Sequence, residues 1–204
     1  MLREAMEIIR ELQTGELVTY RGDHFDVDSA RIWDCSGGGV PIAVAVGGVK
    51  AVEELGPLAD HLIATEPERE IVEAWKALDG RPAIGDGALA IGQIPISWDS
   101  KSVDAAIERA HDQFRWFGAG WSVNADLPTT AGFAAASSFV RPDDVASSIP
   151  CGPDLEAVVN AVKPFWEAGF TDIALVQVGD ELQARFLSEA AEPLLQQLRE
   201  AAPS

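Results

Sequence analysis

Val40-Pro41-Ile42-Ala43-Val44-Ala45-Val46-Gly47-Gly48 is a continuous apolar run closed by two glycines, and the amphipathic segment Val49 to Leu55 follows at once. A strand buried on both faces reads this way, because a parallel sheet covered by helices leaves no polar face to alternate with. Pro41 stands at its edge, where a missing donor is tolerated. Glycines at the C-terminal end let the backbone turn tightly and let a ligand approach the bare main chain. Ligands of open α/β sheets and α/β barrels sit at that end of the strands. The Gly47-Gly48 turn is therefore the first candidate site, against the plainer reading of a simple strand-to-helix connection.

Working outward, Gly56-Pro57 stops the covering segment and Asp60-His61-Leu62-Ile63-Ala64-Thr65 reads as the next strand, a spacing sufficient for a right-handed crossover. Glu66-Pro67 opens a helix with proline in its first turn; Ile71, Val72, Trp75 and Leu78 form its stripe, and Gly80-Arg81-Pro82 ends it. Gly92-Gln93-Ile94-Pro95-Ile96-Ser97-Trp98 is a third strand weakened by Pro95, with Gly85 to Ile91 as its extension or a loop. Asp99 or Ser100 would cap a helix through Val103, Ile107, Ala110 and Phe114. Regularity lapses from Gly118 to Thr130, around Trp121, Asn124 and Pro128, before short helices near Phe133 to Phe139 and Pro142 to Ser147. After Cys151-Gly152-Pro153 a helix runs to Ala168, with Leu155, Val158, Val159, Val162 and Trp166 expected inward. Thr171 to Val178 is a fourth strand ended by Gly179, and a terminal helix follows with a kink expected at Pro193. Upstream stand a helix on Leu2, Ala5, Met6, Ile9 and Leu12, which no strand precedes, and a hairpin from Leu17 to Val27 around Arg21-Gly22-Asp23. The glycine turn accounts for that tripeptide without an adhesion role. Four strands alternating with helices argue a parallel sheet in an α/β fold.

The formal charge of −18 over 204 residues gives a surface that repels nucleic acid and anionic membrane. Its plainest consequence is solubility. Two cysteines, Cys35 and Cys151, make no disulfide framework, which fits a reducing cytoplasm. No apolar run approaches the ~20 residues of a membrane span, and the acidic amphipathic start lacks the layout of a signal peptide. Small molecules are the expected partners.

The inventory of reactive side chains is short. His24, His61 and His111 have no ligand or base partner at metal-site spacing, so no metal is expected; His111 and His61 read as solvated or structural. The cysteines carry no nucleophile signature. There is no Walker loop, and Gly47-Gly48 lacks the dinucleotide spacing. Asp143-Asp144 and Glu53-Glu54 read as solvated helix faces. What remains is the set of strand ends: Ala45-Val46-Gly47-Gly48, Ala64-Thr65, Trp98 and Val178-Gly179. A rim of backbone amides with the Thr65 hydroxyl suits a phosphate or a planar ring better than it suits proton transfer.

In combination these blocks resemble the luciferase-like monooxygenase superfamily, and more narrowly the deazaflavin (coenzyme F420) dependent oxidoreductases of the glucose-6-phosphate dehydrogenase type. The resemblance rests on Val40 to Gly48 and Asp60 to Pro67, and continues through Gly92 to Trp98, Gln113 to Gly118 and Asn124 to Thr129. Phe139 to Val145, Pro150 to Asp154, Ala168 to Phe170 and Ala174 to Gly179 carry it to the end. It implies a (β/α)8 TIM barrel, a fold of ~250 residues. Residues 1–204 would be its C-terminal half, four parallel strands with helices, apparently lacking the first four strands. The helix at the start would then precede the fifth strand. The family's proton-handling histidine and glutamate fall outside this chain, which leaves its catalytic residues unknown.

Carried over by position, the resemblance makes Ala45, Val46, Gly47 and Gly48 the turn lining the deazaflavin, with Thr65 beside it at a strand end. In the glucose-6-phosphate dehydrogenases a lysine shortly after that threonine grips the sugar phosphate. Here Glu66-Pro67-Glu68-Arg69 stands in its place, and a carboxylate opposes a phosphate dianion, so a substrate other than glucose 6-phosphate is expected. The implied activity is hydride transfer between coenzyme F420 and an organic substrate. The alternatives are an FMN-type monooxygenase of the same superfamily, or a catalytically inert half-barrel. Homo-oligomerisation or association with a complementary half-barrel is expected of its open sheet edges.

Overall fold

The computed structural model of the chain describes residues 1–34, 39–119, 127 and 129–203. Cys35, Trp121, Asn124 to Asp126 and Pro128, named above, lie outside the described residues. The chain divides into two compact units, Met1–Ile91 with Gly169–Asp172, and Gly92–Ala168 with Ile173–Ser204.

The first unit opens with α1 (Leu2–Leu12), which buries Met6 and Ile8 and leaves Leu2 and Ile9 exposed. Its Arg10 donates to the Leu58 carbonyl and to Asp60, whose Oδ2 also accepts the Ile42 amide at 2.7 Å. Burial raises the Asp60 carboxyl, but these two donors outweigh it and hold it below the usual range. α1 thus fixes the chain at Ile42, at the start of the Val40 to Gly48 run. β1 (Val18–Arg21) and β2 (Asp26–Ala30) form an antiparallel hairpin. Its turn is tied to α1, with Glu4 accepting the Asp23 and His24 amides at 3.3 and 3.0 Å, while Arg21 pairs with Asp26 and Asp28.

β3 (Ala43–Ala45), α2 (Val49–Leu55), β4 (His61–Ala64) and α3 (Arg69–Lys76) follow, and two tiny strands, β5 (Ala83–Ile84) and β6 (Gly87–Ala88), lead into β7 (Ala90–Ile96). β3 and β4 are parallel, Ala43 opposite His61, Val44 opposite Leu62 and Ala45 opposite Ile63. The Leu62 amide donates to the Leu89 carbonyl at 3.0 Å and the Thr171 amide to that of Ala90 at 2.9 Å. With β8 (Asp172–Gln177) the sheet runs in the order β3-β4-β7-β8. This is the parallel four-stranded α/β sheet expected.

Burial on both faces of the opening strand does not hold. Val44 and Val46 are buried, whereas Ala43 and Ala45 are exposed. Its alanines carry so little side chain that the run stays apolar in sequence while one face remains open. The helix expected from Glu66 begins at Arg69, because Glu68 holds an extended N-cap conformation and Pro67 lies before it.

In the second unit β7 accommodates Pro95, and its end still pairs, the Ile96 carbonyl with the Val178 amide at 2.8 Å and the Ser97 amide with the Pro150 carbonyl at 2.8 Å. α4 (Val103–Phe114) is capped by Ser102, not by Asp99 or Ser100; the Ser102 Oγ accepts the Ala105 amide at 3.1 Å. α5 (Thr130–Ala136) and α6 (Pro142–Ala146) are short. α7 (Leu155–Ala168) buries Phe165, with Trp166 only half-buried. The terminal helix is two, α8 (Asp180–Glu189) and α9 (Ala191–Ala201), broken at Ala190. Pro193 falls in the first turn of α9, where a missing amide costs nothing.

Candidate functional site

At the C-terminal end of β3 the backbone bends away from its partner once the Val46 amide has bonded the Ile63 carbonyl at 2.9 Å. Gly47 lies two residues beyond the last registered pair on β3, and Thr65 two residues beyond it on β4. The structure therefore brings Ala45, Val46, Gly47, Gly48 and Thr65 together at one end of the first unit's sheet. Ala45 and Gly47 are exposed there, Val46 turns into the core, and Gly48 and Thr65 are half-buried.

Gly48 is the N-cap of α2, with φ 165° and ψ 172°, an extended conformation open to any residue. A Cβ built on it would meet no heavy atom of the described residues within 4 Å beyond its chain neighbours. Among the described residues neither backbone strain nor crowding explains the glycine. The bare position instead leaves a free approach to the main chain, which is what a planar ligand laid against this turn needs.

Glu66 follows Thr65 directly. Its carboxylate is half-buried, and no hydrogen bond or ion pair among the described residues engages it. Burial pushes it above the ordinary glutamate range, and the negative charge of Glu68 adds to the shift. The sequence shows the acid here but not that it is half-buried with no cation paired to it among the described residues.

The strand ends of the second unit are filled by the chain's own side chains. Trp98 is buried, its amide donating to Gln177 Oε1 at 3.1 Å and its ring set edge-on to Phe186 at 5.9 Å. At Gly179, φ is 93° and a Cβ would lie 2.4 Å from the Arg109 Cδ. Arg109 donates to Asp99 at 2.9 Å, Glu181 at 3.0 Å and the Ser97 hydroxyl at 3.3 Å. The Lys101 amide foremost, and then Arg109, hold Asp99 below the usual carboxylate range despite burial. This hub was invisible in the sequence, where its members lie up to 84 positions apart in no recurring pattern.

The remaining candidates have structural places. His61 Nδ1 accepts the Leu89 amide at 3.2 Å, and His111 Nε2 lies 2.8 Å from the Val140 carbonyl. Burial pushes the Cys151 thiol up to about 11, so it is no thiolate at neutral pH. Asp144 pairs with Arg141, which lowers its carboxyl to about 2. Among the described residues no three His, Cys, Asp or Glu side chains gather as a metal site, and no helix is long and apolar enough to cross a membrane.

A family model described as "Luciferase-like monooxygenase" matches residues 1–172. The chain is 28% identical over 207 aligned positions to an F420-dependent glucose-6-phosphate dehydrogenase of Amycolatopsis mediterranei, covering 97% of this chain and 61% of that protein. It is 29% identical to the protein of the same description from Nocardia farcinica, over 97% of this chain and 60% of the other. The structure superposes on an F420-dependent secondary alcohol dehydrogenase, solved in complex with an F420-acetone adduct, with a TM-score of 0.77 at 20% identity, over 98% of this chain and 61% of that one. The chain thus spans about 60% of the length of the curated relatives it matches.

Proposed function

Because this chain belongs to the luciferase-like monooxygenase family, we propose that it contributes the deazaflavin-binding side of an F420-dependent oxidoreductase. The observation that carries this is the β3 turn: at Gly48 an extended backbone and open space among the described residues leave the main chain bare. Ala45, Val46, Gly47 and Gly48 would hold the ring through backbone and small side chains, with Thr65 offering a hydroxyl beside it. When bound, a deazaflavin supplies hydride-transfer chemistry; the protein's part is orientation, exclusion of water and electrostatics. The solved relative that carries an F420-acetone adduct supports the cofactor over FMN.

The substrate in this reading is an organic molecule other than glucose 6-phosphate, since Glu66 and Glu68 stand where a phosphate would need a cation. The chain as a whole is one part of a (β/α)8 barrel. The exposed alanine face of β3 and the sheet edges left by β3 and β8 favour association, with a second copy or a complementary part.

An absorbance titration with coenzyme F420 and, separately, FMN tests the cofactor. Saturable spectral change with the deazaflavin at lower concentration than with FMN is expected. Preference for FMN would overturn the choice.

A further inference from the structure

The carboxylate of Glu66 has a placement that neither the fold nor the cofactor explains. It sits at the β4 end immediately after Thr65, beyond the same registered pair, Ala45 opposite Ile63, as the Gly47-Gly48 turn. It is half-buried, yet no donor among the described residues reaches it. A carboxylate in that state keeps both oxygens free as acceptors. Withdrawal from water makes it costly until a donor arrives. The charged group that acts on it is Glu68, which deepens the negative potential. Thr65 adds a hydroxyl that can donate or accept. Such a pair suits a ligand group that brings its own hydrogen or positive charge, and it repels one that brings negative charge.

We propose that Glu66 is a specificity-determining residue of the substrate side of this site, accepting a hydrogen bond from a hydroxyl or ammonium group and excluding phosphate esters. This rests on the deazaflavin reading for the word substrate, but the binding itself does not need the cofactor.

The test uses the full chain carrying carboxyl-13C glutamate, with three small probes that share a two-carbon frame: 2-aminoethanol, ethylene glycol and 2-hydroxyethyl phosphate. The Glu66 signal is assigned by its loss in Glu66→Gln. Saturable shifts are expected at Glu66 with the amine and the diol, larger than at the exposed Glu70, and at least about tenfold weaker binding is expected for the phosphate ester. In Glu66→Gln that discrimination should fall to within about threefold, as expected when the opposing charge is removed. The proposal is overturned if no probe shifts Glu66 more than Glu70, if the phosphate ester does so as readily as the amine, or if Glu66→Gln keeps the discrimination. Equilibrium dialysis of coenzyme F420 against both proteins separates the two readings. Loss of cofactor binding in wild type defeats the proposed function, whereas the probe titration on the unloaded chain still decides the role of Glu66.

Discussion

Gly48 adopts a backbone that any residue could adopt, and a Cβ there would meet nothing among the described residues within 4 Å beyond its chain neighbours. Gly48→Ala gains from a less flexible unfolded chain and loses a better N-cap, two effects of about 0.5–1 kcal/mol that oppose each other. Its thermal unfolding should therefore stay within about 1 kcal/mol of wild type, while coenzyme F420 binding weakens at least tenfold, about 1.4 kcal/mol. A structural role would show the reverse. Glu66 couples stability to pH. Its folded carboxyl is raised, so the native state binds a proton more readily than the unfolded chain, and stability falls as pH rises from about 4 through the raised value. Glu66→Gln should be more stable than wild type at pH 7, with the difference vanishing in acid; urea unfolding across pH measures it. The Gly47-Gly48 turn could be read from the sequence because an apolar run closed by paired glycines marks a strand and the turn that ends it. The isolation of Glu66 could not, since burial and the absence of a donor depend on what the chain brings near it in space.

The strands and helices show where local chemistry is decisive and where packing overrides it. All four core strands lie where apolar runs bounded by turn residues put them. The cap of α4 is not legible locally, because several polar residues stand before the helix and only Ser102 has the geometry to reach the Ala105 amide. Asp99 is drawn instead to Lys101 and Arg109, contacts that no local pattern announces. The Arg109–Asp99 pair is buried on both sides, with side-chain exposures of 13% and 10%. Arg109→Met should cost about 2 kcal/mol, because Asp99 loses its guanidinium partner while the Lys101 amide still donates to it. Because the folded Asp99 carboxyl is lowered, its contribution is present at neutral pH and lost as pH falls below about 4. Asp99→Asn should flatten that acid limb of the stability curve. Inside β7, a Cβ on Gly92 would come 2.4 Å from the Phe165 ring. Gly92→Ala should destabilise by about 1–3 kcal/mol through overpacking, read by chemical unfolding.

At the scale of the whole molecule, the chain supplies a four-stranded parallel sheet and spans about 60% of the length of its curated relatives. Its net charge of −18 opposes binding to polyanions. The α/β class followed from alternating strands and helices. The open face of β3 did not, because alanine reads as apolar whether or not anything covers it. Association is expected of such a surface, and sedimentation velocity over a hundredfold concentration range should show a species heavier than the 21.8 kDa chain. The role proposed for this chain is to carry the wall of a deazaflavin pocket. Equilibrium dialysis of the 204-residue protein against coenzyme F420 tests it most directly. Saturable binding that is weakened by Gly48→Ala and untouched by Gly92→Ala at temperatures where both stay folded is the predicted result. Absence of binding at any attainable concentration, or equal binding by wild type and Gly48→Ala, would contradict it.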